Sequence, residues 1–212
     1  KADKIIYVSE MTCKTQKIHY PGNKNKMFYF PIPYLKPRRT GKIFPVTYKD
    51  IKLCYCGDYN SHIRNLKPLY EAVNMLGIHL TVCGMSDLTL KSSDNIQILP
   101  RKGTSKVQEI ETDADVLVHL SNLSGTQIPG KIYQYISTDK TILFILDGDK
   151  HSLQKAFSKY RRFIFAENNV ENIKQVLKNI CDLRKTVSNE PLEQFKAKNI
   201  VQEIIKIRRT KK

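Results

Sequence analysis

The sequence predicts an α/β fold built on a doubly wound parallel sheet. Between residues 51 and 165, short apolar runs alternate with polar turns and amphipathic stretches of helical period. The runs are nearly continuous in Val, Ile, Leu and Cys, which is typical of strands buried on both faces of a parallel sheet. With 212 residues and 41% hydrophobic content, the chain can bury a sizeable core. We therefore expect a Rossmann-like sheet whose ligands lie outside the carboxyl ends of its strands.

Each apolar run predicts a strand, and the stretch after it predicts a helix. In chain order these pairs are IKLCYCG with a helix over roughly 64–76, IHLTVCG with a short helix near 86–91, NIQIL with TSKVQEIETDA, DVLVHL with GKIYQYI, and TILFIL with the helix before RFIFA. The turns between them are the expected places for ligand-binding residues.

Both ends of the chain depart from this repeat. The stretch ADKIIYVSEMTCKTQKIHY predicts a strand and a helix, and KMFYFPIPYLKPRRTGKIFPVTYKD predicts a Pro-rich basic connector. Residues 189–206 predict one long helix with four residues on its apolar side: Phe195, Ile200, Ile204 and Ile207. These flanks are expected to be helical pieces of a domain junction.

The repeat and its flanks divide the chain into three parts. Residues 1–50 are expected to hold a domain remnant and the connector, 51–188 the Rossmann-like domain, and 189–212 a terminal helix with a basic tail. The chain opens in mid-fold without an initiator methionine, which suggests a fragment.

The net charge of +16 is concentrated at the two ends of the chain. Residues 1–50 carry +8, residues 51–150 carry −1 and residues 151–212 carry +9, with the densest cluster in KIRRTKK. A nucleic-acid-binding protein more often carries its basic stripe on the folded core. The distribution favours a solvated flank or an anionic membrane surface over nucleic acid.

Cysteine usage and hydropathy indicate a soluble, cytoplasmic chain, and its basic ends indicate that it can be peripheral at the inner face of a membrane. Three of the five cysteines lie in apolar runs, so we expect reduced core thiols. No apolar run approaches the roughly 20 residues that span a bilayer, and the first ten residues lack the features of a signal peptide.

The first candidate binding segment is YCGDYNSHIRNLKPLYEA. Gly57 ends a strand, and Arg64 with Asn65 is expected to open the next helix. A flexible loop would then bring a guanidinium and helical N–H groups to one place, which suits a diphosphate. The alternative is a solvated arginine near a helix start.

The second candidate segment is SGTQIPGKIYQYI, where Gly130 allows close backbone approach and Lys131 falls in the first helical turn. A lysine near the positive end of a helix requires an anion, unless it is a surface lysine tolerated at a small cost. Gln134, one turn later, can bond sugar hydroxyls, and Asn122 and Gln127 can add neutral hydrogen bonds.

A rival segment is ILFILDGDK, in which Asp147 and Asp149 follow a strand. Two carboxylates there can hold a divalent cation, but DGD is also an ordinary turn and comes after a complete set of strand and helix pairs. We expect the turn. His119, in an apolar run, is expected to be a packed core residue, and no catalytic residue is assigned.

Two segments together resemble a known family. LCYCGDYNSHIRNLKPLYEAVNMLGIHLTVCG followed by ADVLVHLSNLSGTQIPGKIYQYISTDKTILFI is similar to the C-terminal donor-binding domain of retaining glycosyltransferases of the GT-B fold, in the large family, family four, that makes bacterial surface polysaccharides. The resemblance covers most of residues 51–206. ADKIIYVSE is similar to the end of that family's acceptor domain, and the terminal helix is similar to the one that crosses back to it.

The resemblance implies roles for particular positions. Gly57 would form the tight phosphate loop, and Arg64 would take the place of the family's phosphate-binding basic residue. The turn at 129–131 would present helix N–H groups to the diphosphate. Arg101 follows the third strand, where family members contact the nucleotide base.

The sequence departs from the family pattern in two respects. Asp58 stands where many members have a second phosphate-binding arginine, and Thr126 and Gln134 stand where many have paired glutamates. Gln134 can still bond a ribose, less strongly than a carboxylate. Lys131 is the candidate for the missing positive charge.

The resemblance implies a glycosyltransferase of hexosyltransferase type, in polysaccharide or glycolipid synthesis, of which this chain supplies the donor-binding half. Its expected partners are a UDP- or GDP-sugar donor and the N-terminal acceptor domain of the same enzyme, and no cofactor or metal is expected. Two other classes stay open: a non-catalytic nucleotide-binding module and a basic nucleic-acid-binding protein. The residues leave the sugar, the base and the acceptor open.

Overall fold

The computed structural model describes residues 2–209, which form one large sheet, one small sheet and the helices around them. The small sheet pairs β1 (Ile5–Tyr7) in parallel with β2 (Met27–Tyr29). The predicted basic tail lies partly outside the described residues, which end at 209.

The large sheet has six strands: β3 (Lys52–Cys56), β4 (His79–Cys83), β5 (Ile96–Leu99), β6 (Val116–Leu120), β7 (Thr141–Leu146) and β8 (Phe163–Glu167). Each neighbouring pair is parallel, and the order across the sheet is β5-β4-β3-β6-β7-β8. This is the doubly wound order, so the predicted α/β fold class is confirmed.

The helices are α1 (Glu10–His19), α2 (Lys67–Leu76), α3 (Thr104–Asp113), α4 (Lys131–Tyr135), α5 (Lys150–Ser158), α6 (Val170–Lys178), α7 (Ile180–Leu183) and α8 (Ala197–Arg209). Helices α2 and α6 pack together on one face of the sheet. The buried residues of α4 and α5 belong to a second apolar cluster on the other face. Helix α6 and strand β2 are not among the elements predicted from the sequence.

Strand β3 shows how the sequence buries both faces. Leu53 and Tyr55 join the cluster beneath α2 and α6, while Cys54 and Cys56 join the opposite one. Alternate side chains of a strand point to opposite faces, so an unbroken apolar run fills two core layers at once. The five cysteines are free thiols, and four of them are buried, as predicted.

The helices predicted after β3 and after β4 are not found as expected: the first begins later, and the second is absent. The helix predicted from residue 64 begins at Lys67, because Asn60 and Arg64 bond each other through their backbones and Pro68 occupies the first turn. The short helix predicted near 86–91 is absent. There the Asp87 carboxylate accepts hydrogen bonds from the N–H and Oγ of Ser61, which ties the segment to the β3–α2 loop.

The predicted terminal helix over 189–206 starts later than expected. Phe195 lies in a short 3-10 turn, and α8 begins at Ala197. The backbone of Tyr34 receives a hydrogen bond from the N–H of Ala197 at 2.8 Å and donates one to the carbonyl of Phe195 at 2.9 Å. The carbonyl of Phe195 and the N–H of Ala197 are therefore bonded to the connector, so they are not available for the hydrogen bonds of a longer helix. Phe195 and Ile200 are buried, while Ile204 and Ile207 are half-buried.

Every helix in residues 2–209 is too short or too polar to cross a bilayer.

His119 is a core residue, as predicted, and it makes stability sensitive to acid. It is 2% exposed, and its ring meets Phe144 edge to face at 4.7 Å between centroids. Burial lowers the pKa of His119 to about 3, and the positive charge of Arg64 acts in the same direction. The unfolded chain therefore takes up the proton first, near its ordinary pKa, and stability falls as the pH drops below that value.

Because His119 takes up a proton in the unfolded chain and not in the folded one, we expect it to lower the free energy of unfolding by about 2 kcal/mol when the pH falls from 6.5 to 5.0. Urea denaturation at both pH values measures this loss, which His119→Leu should remove. His151→Leu is the matched control, because His151 is exposed. An equal acid dependence in the two variants would contradict the assignment.

Candidate functional site

A cleft of about 700 Å³ lies at the carboxyl ends of β3 and β4. The ends of these strands form its walls together with one side of α3 from Thr104 to Glu111, helix α4, and connector residues 32–36 and 38. β3 is the strand from which the chain winds in one direction to β4 and later in the other direction to β6. The carboxyl ends of strands at such a switch point are where doubly wound sheets bind ligands.

Two glycines bring the backbones of β3 and β4 together at the cleft floor. Gly57 follows β3, as predicted, and its N–H donates to the carbonyl of Cys83 at 2.9 Å. Gly84 follows β4, and a Cβ atom there would lie far inside van der Waals contact of the Gly57 carbonyl. Only a residue without a side chain fits this approach.

The cleft lining is positively charged. Among the described residues it contains two carboxylates, Asp58 and Glu111, and five cations: Lys36, Arg38, Arg101, Lys102 and Lys131. The lining charge is therefore +3: the connector contributes +2 through Lys36 and Arg38, and residues 51–150, which as a whole carry −1, contribute +1. Such a concave basic surface suits a compact, multiply charged anion.

Lys131 lies in this lining at the first position of α4, as predicted, and its anionic partner belongs to the protein. Its Nζ is 2.7 Å from Oε1 of Glu111, a residue of α3 that is 3% exposed. The contact lacks the angle of a hydrogen bond. The guanidinium of Arg38 donates to the other oxygen, Oε2, at 2.9 Å. One buried carboxylate therefore holds two cations.

The turn before α4 offers fewer free N–H groups than expected. Helix α4 has five residues, and the N–H groups of Ile132 and Tyr133 donate to the carbonyls of Pro129 and Gly130. A Cβ atom on Gly130 would touch the side chain of Ile32. The connector therefore packs directly on this turn. Lys131 and Gln134 present side chains to the cleft.

Arg101 also lines the cleft and forms an ion pair with Asp58. That pairing, together with a hydrogen bond from the N–H of Met85, lowers the pKa of Asp58. Asp58 stands where many members of the family that the sequence resembles have a phosphate-binding arginine. Here a guanidinium reaches the same loop from the segment after β5.

Arg64 and Asn65 lie outside the cleft lining. Arg64 is next to His119 and Tyr55; burial raises the pKa of Tyr55 to about 12, and Arg64 opposes that rise. The buried Nε of Arg64 has no hydrogen-bond partner among residues 2–209. Asn65 caps the start of α2 by accepting from the N–H of Lys67. That Arg64 and Lys131 share one phosphate stays a prediction.

Asn122 and Gln127 lie together near a separate small pocket. The side-chain amide of Asn122 donates to the backbone carbonyl of Gln127 at 3.2 Å, and both residues line a recess between the β6–α4 loop and α1. Neither residue lines the larger cleft.

The Asp147–Asp149 turn is engaged in internal contacts. Asp147 accepts hydrogen bonds from the N–H of Gly148 and the side-chain amide of Asn168. Asp149 caps α5 by accepting from the N–H of Ser152, and the side chain of Ser152, followed by this N–H, lowers the pKa of Asp149. These roles favour the structural interpretation of DGD. No group of three or more metal-ligating side chains occurs within residues 2–209.

Three residues that shape the cleft are not among those predicted from the sequence: Gly84, Arg38 and Glu111. Gly84 ends an apolar run in the same way as Gly57, so the repeated pattern was a usable signal. Arg38 lies in the connector and Glu111 in an amphipathic helix, and no local pattern marks either one.

Structural comparison finds similar folds among solved proteins. An Anabaena protein, HepE, in complex with UDP-glucose matches with a TM-score of 0.66 and 12% identity over 99% of this chain and 64% of its own. AviGT4, a glycosyltransferase involved in avilamycin A biosynthesis, matches with a TM-score of 0.62 and 13% identity over 96% and 62%. The chain has a GT-B glycosyltransferase-like fold. TarM matches this fold too, with a TM-score of 0.59 and 12% identity over 97% and 43%.

The GT-B-like chain covers less than two thirds of the length of each of these structures. No family model matches its sequence. Nor does any curated protein.

Proposed function

We propose that the cleft binds the nucleoside diphosphate of a sugar donor and that the chain is the donor-binding part of a glycosyltransferase. The net positive cleft at the carboxyl ends of β3 and β4 carries this proposal. Its volume of about 700 Å³ lies in the usual range for small-molecule sites. The fold is shared with a protein in complex with UDP-glucose and with a named glycosyltransferase, which supports a nucleotide sugar as the ligand.

The parts of the donor can be assigned to parts of the cleft. We place the diphosphate between the Gly57 backbone and Lys131, where the chain offers close approach and a cation. The base lies toward α3, whose Gln108 offers an amide that both donates and accepts. Gln134 faces the ribose or the transferred sugar.

The chemical role follows from this placement. When the glycosidic bond breaks, negative charge develops on the departing nucleoside diphosphate. Cations already fixed in the cleft stabilise that charge without reorganising during the step. Lys131 and Arg101 are the residues proposed for this task. The acceptor and any base that activates it belong to the N-terminal acceptor domain.

The setting of the reaction is also part of the proposal. We infer transfer of a hexose in bacterial polysaccharide or glycolipid synthesis, with the basic ends of the chain near an anionic membrane surface. The proposals that the reaction retains the anomeric configuration and that the chain is related to family four are based on the sequence resemblance.

Calorimetric titration with UDP-, GDP- and CMP-sugars tests the proposal. We expect one nucleotide class to bind, its free diphosphate to bind comparably, and the corresponding nucleoside to bind far more weakly. Failure of every nucleotide to bind would contradict it. Strongly salt-dependent binding to random duplex would indicate a nucleic-acid-binding protein instead. Donor binding without transfer, after the acceptor half is supplied, would indicate a sensor.

A further inference from the structure

The cleft contains an ionic cluster around one buried carboxylate, and the cluster draws on three distant parts of the chain. Glu111 comes from α3, Lys131 from α4 and Arg38 from the connector. Glu111 is 3% exposed, whereas the side chains of Arg38 and Lys131 are 32% and 27% exposed. The carboxylate is therefore enclosed by the protein, and the two cations retain faces toward the cleft.

The backbone of Arg38 is fixed independently of its side chain. Its N–H donates to the carbonyl of Ser137 at 2.8 Å, and its own carbonyl accepts from the N–H of Asp139. The connector therefore meets the chain just after α4, and Arg38 leaves that junction toward Glu111. Its guanidinium uses Nη1 for the carboxylate, which leaves further donors of the planar fork for a ligand.

Two cations and one carboxylate give the cluster a charge of +1. Without the carboxylate, the two positive charges would lie close together in the cleft wall and repel each other. With it, both are held in place and each keeps donors free. Pre-fixed cations lose little side-chain entropy when a ligand arrives.

We propose that Glu111 is a positioning residue and that Arg38 joins Lys131 in binding the donor phosphates. This inference rests on the proposed function, because it names the residues that would hold the same diphosphate. It makes the connector a part of the binding site, since Arg38 lies outside the Rossmann-like repeat.

The test replaces Glu111 with Gln, which keeps the volume and removes the charge. We expect the affinity for the preferred nucleoside diphosphate to fall about tenfold, as for loss of one charge-assisted contact, while nucleoside affinity is unchanged. Arg38→Gln should weaken diphosphate binding by a similar factor. Unchanged or tighter binding by Glu111→Gln would overturn the proposal, because the carboxylate would then be irrelevant or a competitor of the phosphates.

A background variant separates positioning from general damage to the fold. In the Arg38→Gln, Lys131→Gln double variant, Glu111→Gln should have no further effect on diphosphate affinity, because no cation is left to position. A further tenfold loss there would overturn the positioning role. If the unmodified chain binds no nucleotide at all, it is the proposed function that fails.

Asp115 provides a matched control. It is also a buried carboxylate, and its Oδ1 lies 2.9 Å from Nζ of another connector cation, Lys42. It sits at the opposite end of β3, where it accepts from the N–H of Lys52. Asp115→Asn should lower the melting temperature and leave diphosphate affinity unchanged. If it weakens diphosphate binding as much as Glu111→Gln does, the effect is one of stability and the proposal is overturned.

Discussion

Lys131→Gln is expected to weaken nucleoside-diphosphate binding by about 10- to 100-fold, the loss of about 1.5–3 kcal/mol typical of a hydrogen bond to a charged group. Glutamine retains a polar side chain of similar length, so the change removes mainly the charge. Arg38 still pairs with Glu111 in this variant, which limits the damage to the fold. Calorimetric titration with the diphosphate and with the nucleoside measures the two affinities.

Lys67→Gln is the matched control for this prediction. Lys67 is the first residue of α2 and pairs with Glu71, as Lys131 is the first residue of α4 and pairs with Glu111. Lys67 does not line the cleft, so diphosphate affinity should be unchanged. If Lys131→Gln lowers the affinities for nucleoside and nucleoside diphosphate by the same factor, the change has damaged the fold and has not removed a phosphate contact.

Gly84→Val is expected to destabilise the chain by about 3 kcal/mol or more, at the upper end of the usual cost of overpacking a core. The new Cβ atom would meet the backbone carbonyl of Gly57, which has no flexible end to move aside. Relief requires the two strand ends to separate, which breaks the hydrogen bond from Gly57 to Cys83. Diphosphate binding should be lost as well, because the same movement displaces the cleft floor.

Gly22→Val is the comparison variant, since a Cβ atom at Gly22 would have open space around it. Urea denaturation of the two variants measures the difference in unfolding free energy. A Gly84 variant as stable as the Gly22 variant would contradict the close approach of β3 and β4.

The strands of the large sheet could be predicted because their side chains are buried on both faces. A run such as Val116–Leu120 is buried at every position and is apolar except for His119, so its composition marks it as a strand. Gly57 could be predicted for a related reason, since a glycine directly after such a run signals close backbone approach. The position of Lys131 in the first turn of α4 could also be predicted, although its pairing with Glu111 could not.

The loops and the ion pairs could not be predicted in the same way. Asp87 bonds Ser61 across two different loops, so the segment after β4 is not helical despite its apolar spacing. Arg38 and Glu111 are 73 positions apart and meet only once the sheet has formed. Arg64 was placed at a helix start from its neighbours, but the backbone bond to Asn60 holds it before the helix.

The structure of the chain with its preferred nucleoside diphosphate bound tests the central claim most directly. We predict that the phosphates lie beside the Gly57 backbone within hydrogen-bonding distance of Lys131, with the base toward Gln108. Phosphates held through a cation by Asp147 and Asp149, or a nucleotide bound away from the carboxyl ends of β3 and β4, would contradict it.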